Sequence, residues 1–250
     1  MRTEPRVACV MLTRDRGAMA MQAVRSFREQ TYDPAKRLLV ILDTGDPAWS
    51  VPGSDAENEA HLHAPQHVRK TIGELRNIAH LVADCDIIVT WDSDDVSNPD
   101  RIAEQVALLQ SSGADCVGYN EMLFWREPDS QHRGQAWLYR NPNPHYALGT
   151  SLCYWRRTWE AKPFAATSHG EDLQFCAGLK VAAVWTVPSF ADRDPATGIQ
   201  DSPRMIARIH PGNTSTAYHP DVMEREARKK NPMWKRVVAW DEYCGDTMAC

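Results

Sequence analysis

Three carboxylates follow one another at the end of an apolar run in Ile87-Ile88-Val89-Thr90-Trp91-Asp92-Ser93-Asp94-Asp95. In an extended chain alternate side chains share a face, roughly 7 Å apart, so Asp92 and Asp94 could flank one hard divalent cation such as Mn²⁺ or Mg²⁺. Such a cation suits a diphosphate. A plain strand-to-helix turn would use the same residue types, and Asn98-Pro99 just beyond reads as a helix start with Asn98 as its cap. A second acidic pair, Glu171-Asp172, opens a further probable helix after Ser168-His169-Gly170. Ser168 and Glu171 have capping-box spacing, which accounts for Glu171 and leaves Asp172 as the better candidate for chemistry, against simple stabilisation of the helix dipole. His210 closes an apolar segment before Pro211-Gly212-Asn213-Thr214-Ser215, where a neutral imidazole could ligate a metal or simply hydrogen-bond a loop.

The elements that must carry these groups alternate between strand and helix. Val7 to Leu12 and Leu38 to Leu42 are continuous apolar runs, expected as strands buried on both sides. Between them Ala20, Ala23, Val24 and Phe27 recur at helical spacing, so a parallel pair with a crossover helix is expected. The second strand ends in Asp43-Thr44-Gly45-Asp46, and residues 47 to 67 show no period and are expected as loop. Thr71-Ile72-Gly73-Glu74 has capping-box spacing, with Ile72, Leu75, Ile78, Ala79 and Val82 as the apolar face of the next helix. Arg76 falls at the edge of that face and Asn77 away from it, so neither is needed for packing. Ile102, Val106 and Leu109 line a third helix. Short strands are expected near Cys116 to Gly118, Ser151 to Trp155, Val181 to Val187 and Ile206 to His210, and a helix over Val222 to Trp240.

Composition narrows the class. A net charge of -5 disfavours a protein that coats nucleic acid through bulk charge, although Arg225 to Arg236 is a local basic segment whose simplest account is a solvated helix face. Seven dispersed cysteines without a C-x-x-C pair indicate neither a zinc ribbon nor a disulfide scaffold. No apolar run reaches the roughly 18 to 20 residues that span a bilayer, so a cytoplasmic protein is expected. A G-x-G-x-x-G after the first strand and a G-x-x-x-x-G-K-S/T are both missing, which removes the strongest signals for a dinucleotide oxidoreductase or a P-loop NTPase.

Taken in order, these motifs resemble the inverting, nucleotide-sugar-dependent family 2 of the GT-A glycosyltransferases. Thr13 with the helix running to Gln30-Thr31-Tyr32 is similar to the family's opening, and Asp43 to Asp46 to its acidic turn. Gly73 with Arg76-Asn77 looks like its donor-binding helix, Asp92-Ser93-Asp94 its D-x-D motif, Glu171-Asp172 its E-D motif and His210 its late metal-binding histidine. Arg14-Asp15 replaces the family's usual aromatic-Asn pair, and residues 126 to 147 match no family pattern.

The resemblance implies a single α/β, GT-A-like (Rossmann-like) domain with a central mixed, mostly parallel sheet flanked by helices. Residues 1–112 would form the nucleotide-sugar half, 113–215 the acceptor and catalytic half and 216–250 a C-terminal helical extension. It further implies a nucleotide sugar, a UDP-sugar first, bound near Thr13, Asp43, Arg76, Asn77, Asp92 and Ser93. The divalent ion would sit on Asp94, His210 and Asp92, with Asp172 as base. The acceptor stays open among glycan, lipid, protein and modified DNA base. A non-catalytic nucleotide-sugar or glycan-binding module and a sugar nucleotidyltransferase are the competing functions.

Overall fold

The computed structural model describes residues 4–65, 69–126, 135–184, 203–213, 222, 225 and 233–237. A seven-stranded sheet is built from β1 (Val7–Thr13), β2 (Arg37–Asp43), β3 (Glu59–His63), β4 (Ile87–Thr90), β6 (Cys116–Tyr119), β9 (Cys153–Trp155) and β10 (Val181–Val184), in the order β10-β6-β9-β4-β1-β2-β3. All its pairings are parallel except those of β9, which runs antiparallel to β4 and β6. The expected α/β, mostly parallel central sheet is therefore the one found.

Helices cover both faces because alternate residues of the buried strands point to opposite sides. Val7, Cys9 and Met11 pack with Ala20, Ala23, Val24 and Phe27 of α1 (Gly17–Arg28) and with Ile102, Val106 and Leu109 of α3 (Arg101–Ser112). Ala8 and Val10 pack instead with Ala79 of α2 (Ile72–Val82), Trp159 of α4 (Arg156–Ala161) and Phe175 of α5 (Glu171–Cys176). From β1 the chain moves outward to β2 and β3, then returns to lay β4 on the other flank of β1. That reversal is a topological switch point, and the crevice outside the carboxyl ends of β1 and β4 is where such sheets take ligands. Thr13 ends β1, and Asp92 stands two residues beyond the end of β4.

A second sheet holds β5 (Val96–Ser97), β7 (Glu121–Arg126), β8 (Gln135–Arg140), β11 (Met205–Ile209) and β12 (Trp234–Val237), in the order β12-β8-β7-β11-β5. The pairing of Met205 with Ser97 and Ile206 with Val96 sets β11 antiparallel to β5, so the chain beyond β11 returns toward the acidic run before β5.

Several expectations are corrected. Residues 59–63, taken as loop, form β3, an edge strand whose Glu59-Ala60-His61-Leu62-His63 carries too few apolar residues to announce itself. Trp234–Val237 is a strand on β8, not helix, and most of the rest of the expected C-terminal helix lies outside the described residues, as do 185–187 of the expected late strand. Helix α3 starts at Arg101 with Asp100 as its cap residue, not at Pro99. The carbonyls of Asn98 and Pro99 are taken by Gln30 Nε2 at 2.7 Å and the Thr31 N–H at 2.8 Å from the end of α1. Asn98 Oδ1 caps a tight turn by accepting the Asp100 N–H at 3.0 Å.

The Thr71-Glu74 capping box is present in both directions, but α2 is rotated from its expected face. Gly73, Arg76, Ala79 and His80 are its buried stripe, whereas Val82 is 47% exposed. Gly73 explains the rotation. Its N–H donates to Thr167 O at 3.0 Å, and a Cβ there would lie 1.9 Å from Ala165 O, so segment 165–167 packs directly on the helix backbone. Gly73→Ala should force those backbones apart at a cost of about 1–3 kcal/mol. The measurement is thermal denaturation, where an unchanged Tm would show that the close approach is dispensable.

Candidate functional site

Asp94 is the hub of one end of the crevice. Its Oδ2 accepts Arg16 Nη1 at 2.8 Å, His210 Nε2 at 2.9 Å and, more weakly, Asn213 Nδ2 at 3.5 Å. Burial pushes its pKa up, yet the His210 hydrogen bond and the Arg16 charge outweigh this and hold it below the usual carboxylate value. His210 is tightly oriented: Nδ1 accepts the Gly212 N–H at 3.1 Å, which leaves Nε2 as the protonated nitrogen facing Asp94. Its own N–H donates to Asn213 Oδ1 at 2.6 Å. The carboxylate and imidazole on which the resemblance places the metal are thus together, although they lie 116 residues apart.

Asp92 faces the other way. Its Oδ1 accepts Arg76 Nη2 at 3.3 Å, and Arg76 Nε lies 3.8 Å from Glu171 Oε1. Burial opposes the charge of Arg76, but Asp92 and Glu171 outweigh it and raise its pKa. Glu171 is shifted upward mainly by burial, against the attraction of Arg76. The expected capping box at Ser168 does not form. Ser168 Oγ accepts the Ile72 N–H at 3.1 Å instead, and Gly170, at φ 70°, leads into α5 without a side-chain cap. Glu171 is thereby released from capping to face Arg76. Leu173, the residue after Asp172 in α5, is 57% exposed.

One short turn joins the two acidic motifs. In the 3-10 turn Gly149–Ser151, Thr150 Oγ1 donates to Asp95 Oδ2, while a Cβ on Gly149 would lie 2.0 Å from Asp172 Oδ2. Consecutive residues therefore touch the carboxylate next to Asp94 and the carboxylate of Asp172. Asp95 also accepts the Arg208 N–H at 3.2 Å, tying the acidic run to β11. Burial and the charges of Asp94 and Asp92 push its pKa well up, which favours its neutral form. Asp172 Oδ1 accepts the Leu173 N–H at 2.8 Å, leaving Oδ2 against Gly149.

The remaining expected residues divide. Thr13 and Asp43 close the paired strands β1 and β2. Asp43 is buried and accepts the N–H groups of Gly45 at 2.8 Å and Trp49 at 2.6 Å, which shapes the loop beyond β2. Ser93 is buried with its Oγ unpartnered among the described residues. Asn77 is corrected from a residue without packing duty to a clamp. Its Oδ1 accepts Trp159 Nε1 at 2.9 Å and Phe164 N at 3.0 Å, and its Nδ2 donates to Phe164 O at 2.9 Å. Glu171 was read as a helix cap and as part of the E-D motif; Arg16, Gly149 and Thr150 were not singled out by the sequence reading. Of these only Arg16 carried a signal, as a cation in the loop directly after the first strand.

No group of three or more His, Cys, Asp or Glu side chains among the described residues is arranged to hold a metal ion. Asp94 and His210 form a two-residue set, which suits a cation that takes its remaining ligands from substrate phosphates and water. Also among the described residues, no helix is long and apolar enough to cross a membrane.

The family described as Glycosyl transferase family 2 matches residues 9–168, more than half of the sequence. The chain belongs to glycosyl transferase family 2. No curated protein matches the sequence significantly. Among solved structures, S. aureus TarS 1-349 in complex with UDP superposes with a TM-score of 0.56 at 14% identity, over 82% of this chain and 61% of that one. The same TarS segment with UDP-GlcNAc gives 0.55 at 13% identity, over 88% and 64%. The mannosyltransferase PcManGT from Pyrobaculum calidifontis, in complex with GDP-Man and Mn²⁺, gives 0.52 at 15% identity, over 75% and 59%. At these identities the likeness is one of fold, and this chain spans less than two thirds of each of those structures.

Proposed function

We propose that this family 2 chain transfers a sugar from a nucleoside-diphosphate donor, a UDP-sugar first among them, to an acceptor hydroxyl with inversion at the anomeric carbon. The observation that carries the reading is the Gly149–Thr150 turn, which brings the Asp92-Ser93-Asp94-Asp95 run and Asp172 against adjacent residues at the switch-point end of the sheet. The nucleoside would lie along Thr13, Asp43 and Asp92, with Arg76 as the cation nearest Asp92 and Asn77 and Ser93 supporting the helix and turn that present them. Asp94 and His210 would hold Mn²⁺ or Mg²⁺, whereas Asp92, expected to share the ion, pairs with Arg76. When bound, such an ion neutralises charge on the departing diphosphate.

Asp172 would accept the proton of the acceptor hydroxyl as its oxygen bonds to the anomeric carbon. The bond from that carbon to the diphosphate oxygen breaks, and its electron pair leaves with the nucleoside diphosphate. Glu171, paired with Arg76, would help hold the first turn of α5, where Asp172 stands. A thermal-shift panel of nucleotide sugars with and without Mn²⁺ tests the reading, because a ligand of the native state raises Tm by mass action. A Mn²⁺-dependent rise with one donor, joined to release of nucleoside diphosphate, supports it. Stabilisation without that release favours the non-catalytic binding module, and release of pyrophosphate from a nucleoside triphosphate favours the nucleotidyltransferase.

A further inference from the structure

The oxygen of Asp94 that faces His210 is already occupied by a cation, the guanidinium of Arg16. Arg16 leaves the loop between β1 and α1 and spans the crevice mouth: Nη1 reaches Asp94 Oδ2 at 2.8 Å and Nη2 reaches Gly212 O at 2.6 Å. A Cβ on Gly212 would crowd the His210 ring at 3.2 Å but meet Nη2 only in ordinary contact at 3.6 Å. A divalent ion at the same oxygen would place two cations side by side, and like charges at that distance repel strongly. Once displaced, the guanidinium remains tethered at the carboxyl end of β1, beside the switch-point crevice, with a planar fork that matches phosphate oxygens.

We propose that Arg16 holds Asp94 while the site is empty and exchanges it for the diphosphate of the donor when donor and metal enter, so that it positions the donor. This rests on the donor and metal reading above. The exchange gives Arg16 opposite effects on two equilibria. Arg16→Ala should tighten binding of Mn²⁺ alone about tenfold, by freeing Asp94, and weaken binding of UDP in the presence of Mn²⁺ about tenfold, by removing a charged phosphate contact. Electron paramagnetic resonance of free Mn²⁺ and calorimetric titration of UDP read the two constants separately. Affinities that fall together, or that both stay unchanged, would overturn the exchange.

If Arg16→Ala does not fold, Arg16→Lys decides: it keeps a charge against Asp94 but lacks the fork, so Mn²⁺ affinity should hold while UDP affinity drops. Undiminished UDP affinity in that variant overturns the proposal. A wild-type chain whose UDP binding ignores Mn²⁺ brings down the donor and metal reading. Metal-dependent binding without the opposed shifts brings down only the role of Arg16.

Discussion

Asp172→Asn is expected to lower turnover by about 10²–10⁴ while leaving donor affinity near the wild-type value. The substitution keeps shape. Asn Oδ1 can still accept the Leu173 N–H that fixes Asp172 at 2.8 Å, and the amide fits the space Oδ2 occupies against Gly149. What it removes is the basic lone pair that would take the acceptor's proton in the proposed mechanism. Because donor binding is assigned to the β1, β2 and β4 ends rather than to α5, the loss should appear in the rate and not in the dissociation constant for UDP. Release of nucleoside diphosphate with water as the attacking hydroxyl supplies the rate without knowledge of the acceptor. Gly149→Ala is a second arm: its Cβ would displace Oδ2 from 2.0 Å and should also depress the rate with the carboxylate intact. Near-normal turnover in Asp172→Asn would remove Asp172 as the base.

The extent to which this was legible follows the range of the interactions. Features encoded by neighbours in sequence could be read: the apolar runs leading to Thr13, Asp43 and Asp92 are β1, β2 and β4, and Thr71 with Glu74 is a capping box. Features decided by distant partners could not. The Ser168-Glu171 spacing satisfies the same capping rule, yet Ser168 serves the N–H of Ile72 and Glu171 turns to Arg76, partners 96 and 95 residues back in the chain. Asn77 looked free of the core because helical periodicity puts it off the apolar face, but a polar clamp to Trp159 and Phe164 has no periodic signature. Edge strand β3 and two-residue β5 are too polar or too short for an alternation to register, although β5 is what returns β11 and His210 to Asp94.

Asp94→Ala should erase the Mn²⁺ dependence of UDP binding, lowering affinity in Mn²⁺ to the metal-free value. A loss of at least about 10–100-fold is expected, the range found for residues that merely support a metal ligand. Among the described residues the proposed site gives the cation two side chains, Asp94 and His210, so losing the carboxylate would leave His210 without a charged counterpart. The fold should tolerate the change: Arg16 keeps Gly212 O at 2.6 Å, His210 keeps the Gly212 N–H at 3.1 Å, and the Arg16 side chain is 24% exposed, so water can replace the carboxylate. Asp92→Ala is the poorer test, since it strips the buried Arg76 of its closer anion and confounds binding with stability. Calorimetric titration of UDP with and without Mn²⁺, beside a melting curve, separates the two. A variant with wild-type Tm and an intact Mn²⁺ requirement would mean that the cation is held elsewhere, and Asp94 would then be no more than the counter-ion of Arg16.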